Sequence, residues 1–166
     1  MKTVLIPTDF SENSLQLLKS AVLNFPEDTL SIVFASGYRI GESLFDYLNL
    51  SNTRILNSIV SPGYLEAQKQ LFEDHGYKVK NVQNVVFDGT NRFAFKGFME
   101  IYSIDEALIP STSYKNFASK RCFDISPFIR NSDIKYIEVN SNNAVTENER
   151  KSDGILDTLF LKLHLK

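Results

Sequence analysis

The chain has 166 residues, 43% of them hydrophobic, enough for one domain with its own core. Its 18 basic and 20 acidic residues leave a net charge of -2 with no long block of like charge, which gives no electrostatic reason to expect nucleic acid or an anionic membrane as partner. The single cysteine, Cys122, excludes an intrachain disulfide and a cysteine zinc cluster.

The chain begins with one lysine and a short apolar run that stops at Pro7, too short for a signal-peptide core. No apolar run approaches the roughly 18–20 residues of a membrane span. A cytoplasmic, reducing location is therefore expected.

Val4-Leu5-Ile6 is a continuous apolar run, the pattern of a strand covered on both faces. Ser11 is placed to cap a helix in which Leu15, Leu18, Ala21 and Val22 recur at helical spacing. Pro26 and Asp28 mark the turn into a second strand, Leu30 to Ala35, which makes a right-handed β-α-β unit. Residues 36–60 combine two glycines with Leu44, Phe45, Leu48 and Leu50, and read as a variable segment with one or two short helices. Ser61 as cap and Pro62 at the first helical position restart the chain, and Gly76 is expected to stop that helix in the left-handed conformation. A third strand, "YKVKNVQNVVF" from Tyr77 to Phe87, alternates through Val85 and ends apolar. Thr90 then caps a helix carrying Phe93, Phe95, Phe98, Met99 and Ile101. Ile104 to Pro110 is a fourth strand with Ala107-Leu108-Ile109 as its buried part. A polar stretch follows, then a helical segment ending near Asn131 and interrupted at Pro127, and a fifth strand over Tyr136 to Val139.

This alternation predicts an α/β domain over residues 1–139, built on an open, five-stranded, mainly parallel sheet with helices on both faces. Residues 140–166 read as a polar linker and a short C-terminal helical extension with a stripe of Ile155, Leu156, Leu159, Phe160 and Leu163. Such a stripe is too short to be stable alone, so it must dock on its own domain or on a second subunit, or fray.

The opening "MKTVLIPTDFSENSLQLLKSAV" resembles the first strand and helix of the universal stress protein family, whose strand ends in Pro/Ala-x-Asp-x-Ser, matched by Pro7, Thr8, Asp9, Phe10 and Ser11. The element order from Met1 to Val139 is also similar to that domain, which is Rossmann-like and related to the adenine nucleotide alpha hydrolases. The resemblance implies one of two kinds of protein. One kind binds ATP at the strand carboxyl ends through a loop G-x2-G-x9-G-[S/T], whose glycines let backbone amides approach phosphate. The other lacks the loop and is not expected to bind ATP. Here no glycine occurs between Gly97 and Gly154. With Ser111 at the first glycine position, the second falls on Tyr114 and the third on Asp124, a bulky ring and a carboxylate where phosphate would sit. The expected cofactor is therefore none, with ATP or AMP as the alternative.

Asp9 matches the family residue near adenine and ribose, and reads either as a ligand acceptor or as a helix-start acid beside Ser11. Ser111, Thr112 and Ser113 form a hydroxyl cluster at a strand end, followed by Lys115, Lys120 and Arg121; they suit an anion or an ordinary polar loop. Cys122 beside Arg121 is either an activated thiol or a small buried apolar group. His75 is placed to complement a helix dipole, and His164 has no partner in sequence. No nucleophile elbow, phosphate-loop or paired-histidine motif occurs, so no enzyme activity is expected.

The resulting expectation is a universal stress protein-like homodimer acting through protein contacts in a stress response. Its interface would use the edge strand (Ile134, Tyr136, Ile137, Val139) and the tail residues Ile155, Leu159 and Phe160. In this reading Phe or Tyr side chains such as Tyr114 fill the vacated ligand space. The alternative is a nucleotide or small-molecule sensor with a rebuilt loop made by Asp9, Ser111, Thr112 and Ser113. An enzyme acting on a nucleotide comes last.

Overall fold

The computed structural model describes residues 1–41 and 51–140. Strand β1 (Lys2–Pro7) leads through a 3-10 turn (Glu12–Leu15) into α1 (Gln16–Asn24) and β2 (Leu30–Tyr38). Helices α2 (Asn52–Ile59) and α3 (Pro62–Asp74) precede β3 (Val79–Phe87), α4 (Arg92–Ile101) and β4 (Glu106–Pro110). Then come β5 (Cys122–Phe123), α5 (Ser126–Arg130) and β6 (Lys135–Val139).

The strands form one sheet in the order β3-β2-β1-β4-β6, all parallel, with β5 paired antiparallel to the end of β2. Strand β1 lies in the middle, with Val4 opposite Ile32 on one side and Glu106 on the other. Val4, Leu5 and Ile6 are wholly buried because helices cover both faces, which is why the sequence shows an unbroken apolar run there. Val4, Ile6, Ile32 and Leu108 point to the layer holding α1, α2 and α3. Leu5, Val33, Ala107 and Ile109 point to the layer holding α4 and α5. At the amino end of the sheet Lys2 Nζ bridges Glu106 (2.9 Å) and Asp28 (3.1 Å) and sits 4.6 Å from the centre of the Phe25 ring.

The α/β class, the parallel sheet and the edge position of the last strand are as expected. Six strands replace the expected five, because Cys122-Phe123 folds back on Gly37-Tyr38. Gly76 is not left-handed; no glycine among the described residues has positive φ, and α3 ends at His75, whose N–H donates to the Leu71 carbonyl (3.2 Å). Asn91 rather than Thr90 caps α4, its Oδ1 accepting the Ala94 N–H at 2.8 Å. The helix before Asn131 shrinks to α5, and Pro127 sits in its first turn, where a missing N–H breaks no helical bond, rather than interrupting it. Strand β3 starts at Val79 rather than Tyr77. The extension with Ile155, Leu159 and Phe160, and residues 42–50, lie outside the described residues. No helix among the described residues is long and apolar enough to cross a membrane.

Candidate functional site at the strand carboxyl ends

The chain leaves β1 toward β2 on one side, and β4 lies on the other, so the crevice of this sheet opens at the carboxyl ends of β1 and β4. Asp9 follows β1 and the 111–113 hydroxyls follow β4, so the fold brings the predicted residues to neighbouring strand ends. Ser111 is half-buried and donates its N–H to the Val139 carbonyl (2.9 Å), while Thr112 and Ser113 are exposed. Lys115, Lys120 and Arg121 are exposed.

Asp9 Oδ1 accepts both the Ser11 N–H (3.0 Å) and the Ser11 hydroxyl (2.6 Å), and Ser11 Oγ in turn accepts the Ser14 N–H (3.4 Å). One carboxylate oxygen is thus used in holding Ser11, the cap of the 3-10 turn, in place. Between them Phe10 is held at φ 57°, left-handed and unusual for a bulky residue, with its N–H bonded to Thr8 Oγ1 at 2.8 Å. Its ring is buried.

What covers Phe10 is Tyr64, in the first turn of α3. The Tyr64 ring is fully buried, edge-on to Phe10 (5.5 Å between centroids) and to Phe34 (6.4 Å). Its hydroxyl donates to Asn84 Oδ1 (3.3 Å) and accepts from Gln68 Nε2 (3.3 Å), while Gln68 and Asn84 exchange two amide bonds of 2.8 Å. Burial pushes the Tyr64 phenol well above the usual tyrosine range; a bond with the Thr8 side chain works against this, and Tyr114 and Asp9 add to it.

Tyr114 is half-buried, and its phenol is also raised, first by burial and then by the negative charges of Asp9 and Asp124. Asp124 repeats the geometry of Asp9: its Oδ1 accepts the Ser126 N–H (2.8 Å) and hydroxyl (2.7 Å). Asp124 Oδ2 is buried, with no hydrogen-bond partner among the described residues. The Phe123 ring lies over Gly37, where any Cβ would collide with it, and the Arg39 guanidinium stands 5.7 Å from the ring centre. On the other flank Arg130 Nη2 donates to the Pro110 carbonyl (3.2 Å) and to Glu138 (2.9 Å), so its charge is engaged.

A pocket of about 640 Å³ lies beside α4 and another of about 250 Å³ between α3 and β3. Neither is lined by Asp9 or residues 111–113. No group of three or more His, Cys, Asp or Glu among the described residues is placed to hold a metal. Burial pushes the Cys122 thiol up, against a lowering bond from the Ser119 backbone, which is the opposite of activation.

Sequence reasoning did not place Tyr64, Phe123 or Arg130 at this end of the sheet, whereas the loop spacing puts Asp124 there beside Tyr114. The repeat of Asp-x-Ser at Asp9-Phe10-Ser11 and Asp124-Ile125-Ser126 was a signal for the two matching turns. Nothing local in the sequence signals that Tyr64 reaches β1.

No protein-family model and no curated protein matches the chain. Among solved structures, the hypothetical protein MJ0577, described in a structure-based assignment of biochemical function, aligns at 20% identity over 86% of this chain and 98% of its own, with a TM-score of 0.53. A universal stress protein in complex with cAMP aligns at 15% identity over 85% of this chain and 98% of its own (TM-score 0.48). A protein from the universal stress protein family of Burkholderia pseudomallei aligns at 7% identity over 83% and 95% (TM-score 0.44). The strand order, the parallel registers and the overlay on MJ0577 agree in fold: the chain is an open, mainly parallel α/β sheet with helices on both faces, a fold it shares with MJ0577.

Proposed function

We propose that this chain is a universal stress protein-like domain that does not bind ATP and acts through protein contacts, as a cytoplasmic homodimer in a stress response, without enzyme activity. The observation that carries the reading is the crowding of the strand carboxyl ends. Tyr64 packs on Phe10 and Phe34, Phe123 lies over Gly37, the loop spacing puts Tyr114 at the second glycine position, and Asp9 is bonded to Ser11, the cap of its turn. Backbone amides flanked by glycine, the usual cradle for phosphate, are missing from residues 98–153. Among the described residues strand β6 is the last of the sheet, paired with β4, and carries the half-buried Ile137. Sedimentation velocity on the full chain tests the assembly. A dimer at micromolar concentration is expected; a monomer at every concentration removes the protein-contact reading.

One observation favours a second reading, a sensor of a nucleotide or small molecule. Asp124 Oδ2 is buried, unpaired among the described residues and within range of Tyr114, so a donor group on a ligand would find an acceptor there. That reading requires Tyr114 to move aside.

A further inference from the structure

The 640 Å³ groove lies on the sheet face that carries α4 and α5. Its apolar lining comes from Phe93, Met99, Ile104, Phe128 and Ile134. Phe93 is 86% exposed, in a helix whose other aromatic residues are packed in the core. The groove lies beside α5, which is only five residues long, with Phe128 and Ile134 half-buried in its lining.

The charges on its rim are sorted by sign. Arg92 and Lys96 lie in the first half of α4, which follows β3 and so starts near the strand carboxyl ends. Glu100, Asp105 and Asp133 lie at the opposite end, where the chain enters β4 and β6. Within residues 153–166 the order is complementary: Asp153 and Asp157 come first, the apolar positions Ile155, Leu159, Phe160 and Leu163 follow the helical repeat, and Lys162 and Lys166 come last. Leaving β6 at its carboxyl end and running back along the sheet, that segment would set its acids beside Arg92 and Lys96 and its lysines beside Asp105 and Asp133. The chain from Asn140 to Ile155 reaches up to roughly 50 Å when extended, several times the length of β6.

We propose that residues 153–166 occupy this groove in cis, as a helix antiparallel to β6. A disulfide-trapping experiment on the full chain tests it. In a Cys122→Ser background, Met99→Cys is combined with Leu159→Cys, and the control pairs Leu159→Cys with Lys19→Cys, an exposed position on α1 across the sheet. Under mild oxidation the first pair is expected to close within one chain at least tenfold faster than the control. Equal rates overturn the proposal, and a disulfide between two chains overturns it in favour of a tail exchanged with a second copy. A second measurement leaves the core intact: Phe93→Asp, at an exposed position, is expected to speed amide exchange across residues 154–165 at least tenfold. Unchanged exchange there counts against the groove as the docking site.

Discussion

Phe10 meets Tyr64 edge-on, with 5.5 Å between ring centres and 89° between planes, from a backbone position at φ 57°. The left-handed conformation costs a side-chain-bearing residue about 1–2 kcal/mol, and the buried ring contact offsets it. This gives an inverted order of substitutions. Phe10→Ala is expected to cost about 3–5 kcal/mol by loss of the ring, and Phe10→Gly about 1–2 kcal/mol less than that because glycine accepts the positive φ. Urea denaturation of both variants checks this; a glycine variant less stable than the alanine variant contradicts the strain.

The Asp9 turn makes a narrower prediction. Its role rests on one oxygen accepting two bonds from Ser11. Asp9→Ala is expected to lose about 0.5–2 kcal/mol, the usual range for a lost cap. Asp9→Asn keeps an acceptor oxygen and is expected to retain most of that stability. Equal losses in both variants, measured by thermal unfolding, would assign the effect to charge instead.

Alkaline pH reports on the buried phenols. The folded state raises the Tyr64 and Tyr114 pKa values, so it holds protons that the unfolded chain releases near pH 10. Their contribution is complete below pH 10 and is lost as the pH rises above it, by up to about 1.4 kcal/mol per pH unit for each group. Lys2, raised first by its bond to Glu106, acts in the same direction above its ordinary value of 10.5. Tyr64→Phe should therefore flatten the stability curve between pH 10 and 11.5 by about one proton's slope. An unchanged slope would mean that Tyr64 is accessible to water.

The contact of Phe123 with Gly37 pins β5 to the end of β2. Gly37→Ala must displace the ring and is expected to cost about 1–3 kcal/mol, as overpacking does. In Phe123→Ala the same change at Gly37 should cost much less, giving a coupling of about 0.5–3 kcal/mol in a double-mutant cycle. Additive effects would show that the ring does not bear on Gly37.

The parallel sheet was legible because Val4-Leu5-Ile6 and Ala107-Leu108-Ile109 carry the unbroken apolar pattern of strands covered on both faces. Ser11 and Ser61 were legible as caps because capping is local. Asn91 was missed because Thr90 beside it is also a capping type, and the backbone geometry decides between them. Strand β5 was missed because two residues carry no period, and its pairing depends on Gly37, far earlier in the chain than its partner Phe123. The crowding of the site was half-legible: Tyr114 follows from the loop spacing, whereas Tyr64 reaches Thr8 and Phe10 only through the packing of α3 on the sheet.

The most direct test of the crowded-site account is the change in melting temperature and the heat of titration with ATP, ADP and AMP, each with and without magnesium. The account predicts no shift and no binding heat with any of them. A ligand at about 100 times its Kd adds roughly 2.7 kcal/mol of stability. A rise in melting temperature of that size, abolished by Asp9→Ala, would contradict the account and show that the strand ends still form a nucleotide site.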